Sequence, residues 1–116
     1  YLSSPTALFI RPGIASVGLS EKDCQKQHIA INTAIAPLSI IARSNTSDFR
    51  DGFVKIIADK KGVIIGASVV APNAVEIIQE LVLAVRYQMT VKQIATTPHA
   101  FLSWGEAVRV ATSKLA

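Results

Sequence analysis

The segment Pro98-His99-Ala100-Phe101-Leu102-Ser103-Trp104-Gly105-Glu106 gathers the side chains best able to do chemistry. It places an imidazole, two large aromatic rings and a carboxylate in one short connecting stretch. An imidazole moves protons near neutral pH, and a carboxylate can orient it. Connecting segments carry such groups because a rigid scaffold presents them at the surface. A structural reading competes with the chemical one. Ser103 and Glu106 have the spacing of a capping box, and Trp104 suits an anchor for the helix that follows. His28, between Gln27 and Ile29, reads as a solvated histidine at a helix-to-strand junction. Cys24 lies inside a short polar helix and reads as a small, partly buried apolar group. Only Lys22 and Lys26 stand near it in sequence to favour a thiolate.

Many other chemistries find no support. The sequence has no G-x-G-x-x-G, no P-loop, no G-x-S-x-G and no H-E-x-x-H. One cysteine in 116 residues excludes an internal disulfide and a cysteine cage for zinc or iron–sulfur. No metal site is expected, and the cysteine usage fits a reducing, cytoplasmic setting. A net charge of +4 with scattered basic residues, and only four Phe, two Tyr and one Trp, do not make a basic groove with stacking rings. Nucleic acid is therefore not an expected partner. No apolar run reaches the ~18 residues of a membrane span and no signal peptide opens the sequence, so no membrane partner is expected either. The sequence begins at Tyr1 rather than Met, and we expect a piece of a longer protein.

Charge is scarce. Charged residues make up 17% of the chain, against about 25% in an ordinary soluble domain. A single domain of this length has a large surface fraction, so the shortage leaves apolar surface uncovered. Such surface marks a contact with another chain or domain.

Period and turn residues place the elements. Residues 6–10 form a short apolar run that stops at Arg11-Pro12-Gly13, and Ile14 to Leu19 resumes as a strand. Ser20 with Asp23 is a capping box opening a short helix over Glu21 to Lys26. From Ile29 to Ala36 bulky and small residues alternate, giving a strand whose small face lets another element approach closely. After Pro37, Leu38 to Arg43 is expected as an edge strand, and Ser44 to Asp51 as loop. Phe53 to Ala58 and Val63 to Val70 form a hairpin around Asp59-Lys60-Lys61-Gly62, with a type I turn and a left-handed glycine. Gly66 inside the second strand marks a bulge or a close backbone approach.

Asn73 is expected to cap a main helix over 74–88, with Ala74, Ile77, Ile78, Leu81, Val82 and Val85 facing the sheet. Glu76, Gln79 and Glu80 take the opposite face, which Leu83 interrupts. This helix is expected to be covered on both sides. Thr90 with Gln93 opens a short helix, and Ser103 with Glu106 opens the last one. The class is α+β: one domain over 1–116, an antiparallel sheet of about five strands with helices packed on one side.

The order of these motifs resembles a known family. Phe9-Ile10-Arg11-Pro12-Gly13-Ile14-Ala15-Ser16-Val17-Gly18-Leu19-Ser20-Glu21, Gly52 to Ile57, Ile65-Gly66-Ala67, Asn73 to Val85 and Thr90-Val91 resemble the C-terminal dimerisation domain of the pyridine nucleotide-disulfide oxidoreductases. Dihydrolipoamide dehydrogenase, glutathione reductase and mercuric reductase belong to that family. The resemblance implies a flavoenzyme parent that passes electrons from NAD(P)H through FAD to a cysteine pair, in the service of cell redox homeostasis. It implies partners as well: a homodimer partner, and the FAD and nicotinamide domains of the same parent chain. The fragment alone is expected to bind no cofactor and to be inactive.

In the family a His-Pro-Thr-x-x-Glu motif reaches the partner's active site, with His as acid/base toward the thiols and Glu orienting it. Here Phe101 stands at the His position, Leu102 at the Pro and Ser103 at the Thr, while Glu106 is retained. His99 matches an additional His two residues earlier and is a substitute base only if the loop shifts. Phenylalanine transfers no proton, so we expect an atypical parent whose substrate needs no base here or which has lost disulfide chemistry. The backbone of Phe101 and Leu102 is the part expected near the partner's flavin. Leu83, Phe101, Leu102 and Trp104 are the expected dimer contacts. The alternative is a non-catalytic dimeric α+β interaction module that shares the fold.

Overall fold

Two apolar runs on either side of Asp59-Lys60-Lys61-Gly62 make the middle of a sheet in the structure, a computed structural model that describes residues 5–8, 13–40, 52–100, 103 and 105–116. The turn is the one its residues dictate. Gly62 takes φ +86°, the left-handed region. Its N–H donates to the Asp59 carbonyl at 3.0 Å. The Asp59 carboxylate accepts from the N–H groups of Lys61 and Val63, both at 2.9 Å. Strand β4 (Phe53–Asp59) therefore returns as β5 (Ile64–Ala71). Strands β1 (Thr6–Leu8), β2 (Gly13–Gly18) and β3 (Ile31–Pro37) complete a five-stranded antiparallel sheet in the order β1-β2-β5-β4-β3.

Alternation along the strands sorts side chains between two faces. Ala15, Val17, Val54, Ile56, Ala58, Ala67 and Val69 turn to one face and join the main core. Helix α2 (Ala74–Arg86) covers β2 and β5 on that face. Helix α4 (Glu106–Ser113) covers β3 and β4, and α3 (Val91–Ala95) packs against α4. The small face of β3 behaves as expected, with Ala34 and Ala36 buried where α4 approaches. Lys114 Nζ, just past α4, donates to the Ile35 carbonyl at 2.6 Å and so occupies an acceptor on that edge strand.

Helix α1 (Glu21–Lys26) is the exception to one-sided packing. Cys24 packs with Ile57 and Ile65 as a second cluster, separate from the core that contains Ile56. Neighbouring residues of one strand point to opposite faces, so α1 covers part of the other side. The Ser20–Asp23 capping box is formed: Ser20 N–H donates to Asp23 Oδ2 at 3.0 Å and Asp23 N–H to Ser20 Oγ at 3.1 Å. The N–H of Ser20 foremost, then its hydroxyl, hold the Asp23 carboxyl below its ordinary value, with Lys26 and Lys22 adding a little against burial. A carboxyl lowered by folding stabilises above its unfolded value of about 3.9. That contribution disappears as pH falls through the lower folded value. Asp23→Asn is accordingly expected to flatten the fall of the urea midpoint from about pH 5 to about pH 3.

Both α1 and α2 end in a Schellman motif on a residue other than glycine. After α2, Met89 N–H donates to Ala84 O at 2.9 Å and Gln88 N–H to Val85 O at 3.3 Å. After α1, Ile29 N–H reaches Cys24 O at 2.9 Å and His28 N–H reaches Gln25 O at 3.2 Å. His28 and Gln88 hold φ of 57° and 53° to permit this. Side chains resist that region, so Gln88→Gly should stabilise the chain by about 1 kcal/mol in urea unfolding.

Three local expectations need correction. Leu38–Ile40 is a 3-10 turn, not an edge strand. Pro37, opposite Phe53, ends the pairing, and the chain coils so that Leu38 is fully buried. Asn73 makes no side-chain cap, because at φ −117°, ψ 47° it lies outside the extended conformation a capping side chain uses. Only its carbonyl serves the helix, accepting from Ile77 N–H at 3.0 Å. Within α2, Ala84 is buried and Val82 only half-buried, so the stripe runs slightly differently from the one expected. Residues 9–12 and 41–51, which include the end of the first apolar run and the polar loop, lie outside the described residues.

Candidate functional site

Helix α3 aims the connection that contains His99. Its start is the expected capping box, with Thr90 N–H donating to Gln93 Oε1 at 2.9 Å and Gln93 N–H to Thr90 Oγ1 at 3.1 Å. Its end is closed by two threonines bonding back. Thr96 Oγ1 donates to Lys92 O at 2.8 Å and Thr97 Oγ1 to Gln93 O at 2.7 Å. Pro98 has no N–H to continue the helix.

His99 then turns inward against α2. Its ring Nδ1 lies 2.7 Å from the Thr97 carbonyl and its Nε2 lies 2.6 Å from Glu80 Oε2. The His99 side chain is 7% exposed and that of Glu80 31%. A carbonyl and a carboxylate only accept, so a proton on either ring nitrogen is donated to the partner facing it. In this arrangement both ring nitrogens face a partner. His99 is thus joined to Glu80, a residue the sequence reading had placed only on a polar helix face. Nothing local in the sequence links two residues separated by a whole helix and a turn. Glu80 was missed for that reason.

Glu106 is the first residue of α4 and half-buried. The expected Ser103–Glu106 capping box is absent. Gly105 occupies the cap position at φ −61°, ψ −20°, already helical, with no side-chain bond. Ser103 Oγ donates instead to the Ala100 carbonyl at 2.6 Å, so the hydroxyl is engaged elsewhere. Glu106 keeps a favourable place at a helix N-terminus. Phe101, Leu102 and Trp104 lie outside the described residues.

Leu83 is 46% exposed, and Val75 and Tyr87 on the same side of α2 are 44% and 67% exposed. Arg86 stacks over the Tyr87 ring at 5.8 Å. Cys24 is completely buried, and burial, with Asp23 beside it, pushes its thiol up. A raised thiol holds little thiolate and reacts slowly. Among the described residues no cluster of three or more His, Cys, Asp or Glu is placed to hold a metal ion. No helix among them is long and apolar enough to cross a membrane.

An antiparallel sheet in the order β1-β2-β5-β4-β3, with α2 and α4 on one face and an outward apolar stripe on α2, defines an α+β layer domain. The chain belongs to the pyridine nucleotide-disulphide oxidoreductase family, as its dimerisation domain, whose sequence profile matches residues 4–112. The dihydrolipoyl dehydrogenase of Geobacillus stearothermophilus is 38% identical over 107 residues, which are 91% of this chain and 23% of that protein. The mitochondrial dihydrolipoyl dehydrogenase 2 of Arabidopsis thaliana is 35% identical over 112 residues, 96% of this chain and 22% of its own length. Among solved structures, LpdA from Mycobacterium tuberculosis superposes with a TM-score of 0.93 at 35% identity, covering 98% of this chain and 25% of that one. The chain therefore spans about a quarter of the length of these relatives. The flavoprotein disulfide reductase RclA from Escherichia coli, at 20% identity and a TM-score of 0.91, shares the fold.

Proposed function

We propose that this chain is the subunit-pairing domain of an FAD-dependent oxidoreductase similar to dihydrolipoyl dehydrogenase, acting in the cytoplasm as a homodimer. The observation that carries the reading is the outward stripe of α2, apolar at Val75, Leu83 and Tyr87 in a chain short of charge. The family profile over residues 4–112 supports it. FAD and NAD(P)H belong to segments beyond this chain, which has no dinucleotide fingerprint of its own. When bound by the parent, FAD would supply two-electron chemistry with the nicotinamide.

The contribution of this chain to the active site is atypical. With Phe101 at the position of the usual base, the chain dries the partner's site there rather than moving a proton. Glu106 keeps its place in the motif without an imidazole to orient. His99 is held by Glu80 and Thr97 and does not replace the missing base while those bonds stand.

Two experiments test the reading. The coding sequence upstream of Tyr1 should contain two G-x-G-x-x-G units, and an open reading frame without them removes the flavoenzyme assignment. In the full-length parent, if it has a redox cysteine pair, Phe101→His is expected to raise disulfide reductase activity, by analogy with the ~100-fold or greater effect of a positioned base. No gain with the pair and the fold intact counts against placing Phe101 at the acid/base position.

A further inference from the structure

Among the described residues, the connection between α3 and α4 is held by local hydrogen bonds with one exception. Thr97 ties back to Gln93, Ser103 to Ala100, and Glu106 N–H to the Ser103 carbonyl. Each spans four residues or fewer and ties the connection only to itself or to the end of α3. Among the described residues, the bond of His99 Nε2 to Glu80 Oε2 alone ties this connection to α2, across nineteen positions of sequence. It is 2.6 Å long, between an imidazole and a carboxylate, with the ring nearly out of water. Such a bond is worth more than a neutral one, and burial sharpens it further. The second ring nitrogen is fixed on the Thr97 carbonyl, so the ring cannot rotate without losing both partners.

We propose that Glu80 is a positioning residue that, through His99, sets the path of the connection leading into α4. The proposal deepens the reading above, in which this connection faces the partner subunit, and rests on it for its consequence. The carboxylate does not touch the reacting groups. It holds the ring that holds the backbone between Thr97 and Ala100.

Trp104 is the chain's one tryptophan and lies in this connection, so its fluorescence reports on the connection alone. Acrylamide quenching of Trp104 is measured in the wild type, Glu80→Ala, His99→Ala, the double variant and Glu80→Gln. Each single alanine variant is expected to raise the quenching constant about twofold, with the double variant no higher than either, as for two members of one interaction. Glu80→Gln retains an acceptor for Nε2–H and is expected to restore a constant close to the wild type. Far-UV circular dichroism checks the fold, and if Glu80→Ala unfolds, His99→Ala carries the same comparison.

Quenching unchanged in a folded alanine variant overturns the proposal. So do additive effects in the double variant, or a Glu80→Gln constant as high as that of Glu80→Ala. The partner reading fails differently. If wild-type quenching is the same in monomer and dimer, the connection does not face a partner, whereas the variants are compared at a single protein concentration.

Discussion

Gly66→Ala is expected to destabilise the chain by at least about 3 kcal/mol, enough to leave it unfolded at room temperature if the parent fold is marginal. Gly66 sits in the middle of the sheet, paired with Gly18 of β2 and Ile57 of β4. A Cβ placed on it would lie 1.9 Å from the Leu19 carbonyl oxygen and 3.0 Å from its carbon. Those are backbone atoms, so no flexible side chain can move aside. The crowding arises because the chain folds over the sheet at this point. Gly18 takes φ +72° and the Leu19 N–H then donates to the Ile65 carbonyl at 2.9 Å. Relieving the clash breaks that bond and lifts α1, with Cys24, away from Ile57 and Ile65. Urea unfolding followed by circular dichroism measures the loss. Gly105→Ala is the control, since among the described residues its Cβ would meet only Ser103 Oγ at an ordinary 3.5 Å, and it should stay within about 0.5 kcal/mol of the wild type. Equal stability of the Gly66 and Gly105 variants would refute the close-approach account.

What the sequence disclosed, it disclosed where the cause was local. Ser20-x-x-Asp23 caps α1 because both partners lie within one turn, and Asp59 to Gly62 makes its turn from its own residues. The glycine at position 66 was legible as a close approach, although the atom it must admit, the Leu19 carbonyl, was not. The same capping spacing failed at Ser103 and Glu106. There the hydroxyl is drawn to Ala100, and a helical Gly105 begins α4 instead. Spacing reports that a bond is sterically open to a residue, and the surroundings decide whether the residue makes it. The Glu80–His99 pair lies at the far limit of this rule. It exists only because α3 and its connection return across α2, and no period in either segment encodes that meeting. The family resemblance, by contrast, was carried by many short motifs in order, and it survives the loss of any one of them.

The second large effect concerns pairing. Leu83→Glu is expected to weaken dimerisation by about 100-fold, close to 2.7 kcal/mol. Val75, Gln79, Leu83 and Tyr87 recur every fourth residue and share one side of α2. Glu76 occupies the first turn of the same helix, and Arg86 its last. In the proposed dimer, two copies crossing antiparallel about a two-fold axis would bring each Glu76 toward the other's Arg86, with the apolar residues between them. Rim pairs of this kind set register more than affinity. In that proposed dimer the apolar centre would supply the binding, and Leu83 would lie close to it. Symmetry doubles the consequence, because one substitution places two carboxylates in the contact. The monomer has little to lose, since Leu83 is 46% exposed, and its unfolding midpoint should shift by no more than about 0.5 kcal/mol. Sedimentation equilibrium across a range of concentrations separates the two effects. A dimer as tight as the wild type, formed by a folded Leu83→Glu chain, moves the pairing surface off α2.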